Sequence, residues 1–225
     1  MDEVSIGVAT LYAVGPFRIS VSLVTSFGIT AMISGAAWLL LRSSSRLPAS
    51  LQVVVEAGVS VMEEAVEQVA GPHAQRIMPF IATLWIFLVC GNLLGLVPGL
   101  DSPTRDLSVT TAMAILVFLS VHWFGIRTQG LKKYLRHYLS PSPFLLPFHV
   151  ISEVTRTVAL AIRLFGNMMS LEMAAFLVLM VAGFLVPIPI LMLHIVEALV
   201  QAYIFGMLAL IYVAGGIQSQ EECKA

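Results

Sequence analysis

Charged side chains are scarce in this sequence: 12 Lys and Arg and 13 Asp and Glu make up 11% of its 225 residues, while 58% are hydrophobic. The mean hydropathy is +0.93. So little polar surface excludes a soluble globular domain of this length and indicates a polytopic membrane protein. The formal net charge of −1 offers no basis for binding nucleic acid.

Several other features are missing as well. The two cysteines, Cys90 and Cys223, lack metal-binding or redox spacing, and Cys90 lies in an apolar run, as an inert small side chain does. The acidic start MDEVSIG lacks the basic segment of a signal peptide, so we expect the first span to remain in the mature protein. A zinc protease needs a motif such as H-E-x-x-H, but HIVE has one histidine. We predict no metal site and no cofactor.

Uncharged runs of about 20 residues predict three ordinary membrane spans, at 19–41, 77–100 and 107–126. Between the first two, residues 50–70 place valines and alanines near one face and glutamates over much of the rest. This pattern is typical of an amphipathic helix at the membrane surface or against a partner.

The C-terminal half predicts two long helices. Pro187 and Pro189 would break a helix, so we place a turn there, between helices at 150–186 and 188–217. The first would be about 54 Å long and would have to tilt in a hydrocarbon core about 30 Å thick. We therefore expect a single all-α polytopic membrane domain over 1–225, with about five membrane helices, the amphipathic surface helix and a tilted C-terminal hairpin.

The lysines and arginines favour one orientation. With the N-terminus outside, five crossings and the C-terminus in the cytoplasm, only Arg18 and Arg105 lie outside, whereas the opposite orientation reverses this bias. The basic residues then expected inside are Arg42, Arg46, Arg76, Arg127, Lys132, Lys133, Arg136 and Lys224.

The stretch AIRLFGNMMSLE places a permanently charged Arg163 in an apolar helix. An arginine at mid-helix costs about 2.5–3.5 kcal/mol on insertion scales. Asn167, at i+4, shares its face but is neutral, and Glu172, nine positions away, lies on the opposite face. The counter-charge must therefore come from elsewhere, for example from another subunit. A structural pair with another helix is the alternative.

On the last helix, His194, Glu197 and Gln201 follow one another at i, i+3 and i+7 and so line one stripe. A polar stripe on an apolar helix is how a proton or ion path is built in a membrane. The alternative for His194 is a hydrogen-bonded core histidine, and for Asn92, in CGNLLG, a hydrogen bond between helices.

Three further polar residues have simpler interpretations. Glu153 and Arg156, one turn apart near the inner surface, are expected to form an interfacial ion pair. His122, beside Trp123 near the end of the third span, is interpreted as a residue of the membrane interface.

LAIRLFGNMMSLE, followed about twenty residues later by HIVEALVQAYIFGMLALIY, resembles subunit a of the F-type ATP synthases, over roughly 77–213. The resemblance implies that Arg163 faces the rotating ring of c subunits. It also implies that polar side chains form the outer ion path: Asn167, Glu172, His194, Glu197 and Gln201, with Asn92 from GNLLGLVP. The chain departs from some members at Gly95, where they have an acid, and has His194 and Glu197 together where many have one.

The resemblance implies the stator ion-channel subunit of a rotary ATP synthase, with two half-channels that carry H⁺, or Na⁺ in a sodium-translocating branch, to and from the c-ring carboxylates. The implied partners are the c ring, the peripheral-stalk b subunits, membrane lipid and, indirectly, the F1 sector. The chain would have no ATP-hydrolysing site of its own. Its place would be an energy-coupling membrane, here expected to be a bacterial inner membrane. The alternative, a secondary ion-coupled transporter, predicts a substrate cavity and inverted repeats, and the sequence contains no internal repeat.

Overall fold

The computed structural model describes residues 10–14, 17–42, 49–96, 102–130, 146–182 and 187–218. Most of these residues lie in α-helices: α1 Val21–Arg42, α2 Ala49–Ala70, α3 Ala74–Leu94, α4 Leu107–Gln129, α5 Leu146–Ala182 and α6 Pro187–Gln218. Five helical stretches are long and apolar enough to cross a membrane: Val21–Leu39, Val55–Leu94, Leu107–Thr128, Pro147–Val181 and Pro189–Ile217. The prediction of an all-α polytopic membrane protein is confirmed.

A short antiparallel hairpin precedes α1 and is not predicted by the sequence analysis. Strand β1, Thr10–Val14, pairs with β2, Phe17–Ser20, with Val14 opposite Phe17. The hairpin is a local departure from an otherwise helical chain.

The helix bounds follow the predicted spans with differences at their ends. Helix α3 begins at Ala74 and ends at Leu94, whereas the sequence predicts a span over 77–100. Pro98 opposes continuation of a helix through the residue before it, and residues 97–101 lie outside the described part of the chain. Helix α4 continues to Gln129, three residues beyond the predicted end.

Among its described side chains, helix α2 buries its apolar face only toward the C-terminal end. Val66 and Ala70 are buried where α2 packs against α3 and α6, while Val59 and Val61 remain exposed. A 3-10 turn at Gly71–His73 then joins α2 to α3, and Gly71 has a φ of 51°, which glycine adopts without steric cost. The predicted amphipathic helix is therefore partly seated on the helix bundle.

A short segment before α4 folds back against α3. It contains a 3-10 turn at Pro103–Arg105 and then Asp106, whose carboxylate accepts a hydrogen bond from the Ser108 amide at 2.9 Å. This is the usual side-chain cap of a helix N-terminus, and it starts α4 at Leu107. Ser102, Thr104 and Asp106 are buried.

The two C-terminal helices are long, as the proline positions predict. Helices α5 and α6 contain 37 and 32 residues, which corresponds to about 55 and 48 Å at 1.5 Å per residue. Both exceed the hydrocarbon core of about 30 Å. Helix α5 ends at Ala182 and α6 begins at Pro187, where the missing amide proton is tolerated.

Helix α6 is the central element of the bundle, because it packs against α2, α3, α4 and α5. Its contact face combines small residues with one large ring: Ala198, Ala202 and Ala209 are fully buried beside Phe205. Small side chains allow helix backbones to approach closely inside a membrane. The polar stripe of the sequence analysis lies on this same, tightly surrounded helix.

A tryptophan of α3 fits against the backbone of α6. The Trp85 indole donates to the Tyr203 carbonyl at 3.4 Å, and its ring stacks on the Tyr203 ring at a centroid distance of 6.3 Å. Next to it, Gly206 leaves the space that the indole fills, since any Cβ there would overlap the ring. This contact fixes how far α6 can slide along α3.

Candidate functional site

The polar residues of α5 and α6 meet at one hydrogen bond. The Asn167 amide Nδ2 donates to Gln201 Oε1 at 2.6 Å, which joins the two long helices. Asn167 is half-buried and Gln201 is 1% exposed. The bond links the R-L-F-G-N stretch to the polar stripe of the last helix.

The remaining polar atom of Gln201 has no such partner. Its Nε2 is buried and makes no hydrogen bond to any residue in the described ranges. A buried donor without a partner costs about 1–3 kcal/mol. Because an amide nitrogen can only donate, this position is suited to an acceptor such as a carboxylate or water oxygen.

His194 presents a second buried nitrogen of this kind. The residue is 7% exposed, and its Nε2 has no hydrogen-bond partner among the described side chains and backbone. It lies seven residues before Gln201, which separates the two backbone positions by about 10.5 Å along the helix axis. Glu197, between them on the stripe, is half-buried. The stripe therefore runs along the side of α6 that faces the other helices.

Asn92 of α3 is engaged at both ends of its amide. Nδ2 donates to the Ala198 carbonyl of α6 at 3.1 Å, and Oδ1 accepts from the Thr104 hydroxyl at 2.8 Å. The side chain is 0% exposed. The geometry favours the alternative interpretation of Asn92, a hydrogen bond between helices. Its acceptor is the carbonyl of Ala198, the residue that follows Glu197.

Arg163 points away from the bundle. The residue is exposed on α5, between the exposed Ile162 and the fully buried Leu164, and one turn before Asn167. Among the side chains that the structure describes, no carboxylate forms an ion pair with it. The guanidinium thus lies on an apolar outer face, next to the hydrogen-bonded pair of α5 and α6.

Glu172 cannot be placed in this arrangement. Its backbone belongs to α5, but its side chain lies outside the described part of the structure. The expectation that Glu172 belongs to the outer ion path stays a prediction.

The contacts of Glu153 and Arg156 differ from the sequence analysis. Glu153 lies 3.7 Å from the His122 imidazole of α4, so its contact crosses between helices and does not follow the predicted i, i+3 pair. The Arg156 guanidinium instead lies over the Tyr212 ring of α6, 5.6 Å from its centroid. Sequence spacing on one helix missed these contacts because both partners come from other helices.

Sequence reasoning also missed two features beside the site. The Thr104 hydroxyl contacts both Asn92 and the Ser102 hydroxyl, and Trp85 packs on Gly206. Ser102 and Thr104 lie between two apolar spans, where no helical periodicity predicts which residues they contact. In the described ranges, no three His, Cys, Asp or Glu side chains lie close enough together to hold a metal ion.

Comparison with known proteins identifies the family. A family model described as ATP synthase A chain matches residues 23–214. The chain is 61% identical to ATP synthase subunit a 2 of Pelobacter propionicus over 211 residues, covering 94% of this chain and 92% of that protein. It is 56% identical to ATP synthase subunit a of Legionella pneumophila strain Paris, covering 93% and 92% of the two chains. It is 59% identical to ATP synthase subunit a 1 of Hahella chejuensis, covering 93% and 89%. The resemblance found in the sequence is confirmed, and the chain belongs to the ATP synthase A chain family as an F-type subunit a.

Proposed function

We propose that this chain is the stator ion-channel subunit of a rotary ATP synthase. In this proposal it provides two half-channels that carry H⁺ or Na⁺ to and from carboxylates on a ring of c subunits, and so couples ion flow to rotation of the ring. The observation that carries the proposal is the exposed Arg163 on a long membrane helix, with no carboxylate of the described residues to neutralise it.

The role of Arg163 follows from its charge. A guanidinium within about 4–6 Å of a carboxyl lowers the pKa of that carboxyl by about 1–3 units and favours its ionised form. Each c subunit that arrives at Arg163 would then release its ion and could reload only after passing. The same positive charge would prevent ions from leaking directly between the two half-channels.

The outer half-channel would follow the polar residues of α6 and its neighbours. His194 and Gln201 support this role because each keeps a buried nitrogen without a partner among the described residues. Asn167 would contribute where α5 meets Gln201. Glu172, Glu197 and Asn92 complete the proposed path. Imidazole and carboxyl groups suit proton transfer because their pKa values can be shifted toward the working pH.

The proposed assembly has several members. The c ring would cover the outer face of α5 that carries Arg163, and the peripheral-stalk b subunits would hold the chain still while the ring turns. The F1 sector would be reached through the stalk and would perform the ATP chemistry, so this chain would have no ATP-hydrolysing site of its own. The chain would be an integral protein of an energy-coupling membrane, proposed to be the bacterial inner membrane, with its N-terminus outside and its C-terminus in the cytoplasm.

Replacement of the arginine tests the proposal. Arg163→Ala in the assembled complex should abolish ATP-driven ion pumping in membrane vesicles and leave ATP hydrolysis by the detached F1 sector unchanged. Arg42→Ala is the matched control, since Arg42 is also exposed but contacts the Trp38 ring at the end of α1. Wild-type pumping by Arg163→Ala would contradict the proposed role.

A secondary transporter is the alternative, and purification separates it from the proposal. The stator subunit should purify from detergent with an oligomeric c ring, whereas a transporter should purify without one. Pumping measured with and without sodium and an uncoupler then identifies the coupling ion.

A further inference from the structure

A buried chain of hydroxyl groups connects the segment before α4 to α3 and α6. Ser102 Oγ donates to the Gly91 carbonyl at 2.8 Å and lies 2.7 Å from Thr104 Oγ1. Thr104 Oγ1 in turn lies 2.8 Å from Asn92 Oδ1. Thr104 and Asn92 are both 0% exposed, so no bulk water replaces these contacts.

The orientation of the Asn92 amide is determined by α6. Its Nδ2 donates to the Ala198 carbonyl at 3.1 Å, and a carbonyl oxygen can only accept. A flipped amide would place two oxygens against each other. Asn92 Oδ1 must therefore face Thr104, and in the contact between them Thr104 must be the donor.

Counting hydrogens shows that Thr104 decides whether Asn92 is satisfied. The two hydroxyls have one hydrogen each, but they share three short oxygen–oxygen contacts, to Gly91, between themselves and to Asn92. If Thr104 donates to Ser102, Asn92 Oδ1 loses its donor in a buried site. If Thr104 donates to Asn92, the Asn92 amide is fixed at both ends.

We propose that Thr104 is a positioning residue for the outer half-channel. Its hydroxyl fixes Asn92, and Asn92 holds the Ala198 carbonyl of α6, which directly follows Glu197 and precedes Gln201 by less than one turn. The inference rests on the proposed function, because it assigns Thr104 a role only if the α6 stripe conducts the ion.

The test replaces the Thr104 hydroxyl without changing the size of the side chain. Thr104→Val in the assembled complex should raise the outer ion concentration that gives half-maximal ATP synthesis by at least about fivefold, or about 1 kcal/mol at 1.4 kcal/mol per tenfold. The maximal rate should stay within about twofold, because ion entry changes and the later steps do not. Thr104→Ser, which keeps a hydroxyl, should return the half-maximal concentration to near the wild-type value.

Thr110→Val is the matched control. Thr110 is also 0% exposed, but its hydroxyl donates only to the Leu107 carbonyl of its own helix, at 3.1 Å. This variant should keep the wild-type half-maximal concentration. Ser102→Ala is a second test, since it leaves the Thr104–Asn92 bond in place and should also keep it. In an Asn92→Leu background, Thr104→Val should add no further shift.

Three results would overturn the inference: no shift in Thr104→Val, an equal shift in Thr110→Val, or a fivefold shift in Ser102→Ala. Immunoblots of the membranes correct each rate for the amount of chain present. The Arg163→Ala result tests the proposed function separately. If coupling is lost in Arg163→Ala and Thr104→Val behaves like wild type, only the role of Thr104 is wrong.

Discussion

The Asn167–Gln201 hydrogen bond offers a direct test of how a buried polar contact stabilises the long hairpin. The bond is 2.6 Å long and joins α5 to α6, and Gln201 is 1% exposed. Asn167→Leu would leave both ends of the Gln201 amide without a partner from the described chain. Gln201→Leu would leave the Asn167 donor unpaired.

The magnitude follows from the asymmetry of hydrogen-bond energetics. Leaving one buried partner unpaired costs about 1–3 kcal/mol, whereas replacing both partners by apolar groups can be nearly neutral. Double-mutant cycles on hydrogen bonds between the helices of a membrane protein give interaction energies of about 0.6 kcal/mol on average and about 1.7 kcal/mol at most. We expect each single variant to lower the free energy of unfolding by about 1–2 kcal/mol and the double variant to lower it by less than their sum.

The assay is reversible unfolding of the purified complex in increasing denaturant, for wild type, both single variants and the double variant. Pumping is measured on the same preparations. The double variant should pump as poorly as the single variants, because it regains stability but still lacks the two polar side chains of the proposed ion path. Additive losses of stability, with an interaction energy near zero, would refute the view that this bond joins the helices.

Two further predictions concern α6. Gly206→Ala should destabilise the complex by about 1–3 kcal/mol, because the new methyl group overlaps the Trp85 indole. In the control Gly215→Ala the new methyl group meets open space, so this variant should be neutral or stabilising by up to about 1 kcal/mol. Equal changes in melting temperature for the two variants would contradict this packing. His194→Leu should keep or raise the melting temperature, since it removes a buried nitrogen without a described partner. Pumping by the same variant should fall about tenfold or more. A clear loss of stability would mean that the imidazole has a structural partner.

The features that the sequence predicted are those set by residues close together along the chain. Pro187 predicts the break between the long helices because a proline acts on its own backbone, and α6 begins there. The stripe of His194, Glu197 and Gln201 follows from helix geometry alone, and its two outer members are buried. The amphipathic pattern of α2 likewise predicts a helix, although not how much of it packs.

The features that the sequence did not predict depend on distant residues. Trp85 meets Tyr203 and Asn92 meets Ala198 across more than a hundred residues of chain. Helix periodicity describes one face at a time and does not specify which helix packs on it. The same limit explains Glu153: spacing within α5 suggests Arg156, but the packing of α4 against α5 brings His122 closer.

Two groups near the Asn167–Gln201 bond can only donate, and neither has an acceptor among the described residues. Gln201 Nε2 only donates, and the Arg163 guanidinium, one turn from the Asn167 that bonds Gln201, also only donates. Helices selected for stability alone would bury leucine at such positions, since an unpaired donor in a membrane is costly. Under the proposed function, the partner of Arg163 would have to bring oxygen acceptors and negative charge. A carboxylate that arrives from another subunit and leaves again meets both requirements, whereas a permanent partner within the chain would cancel the charge that the proposed mechanism needs.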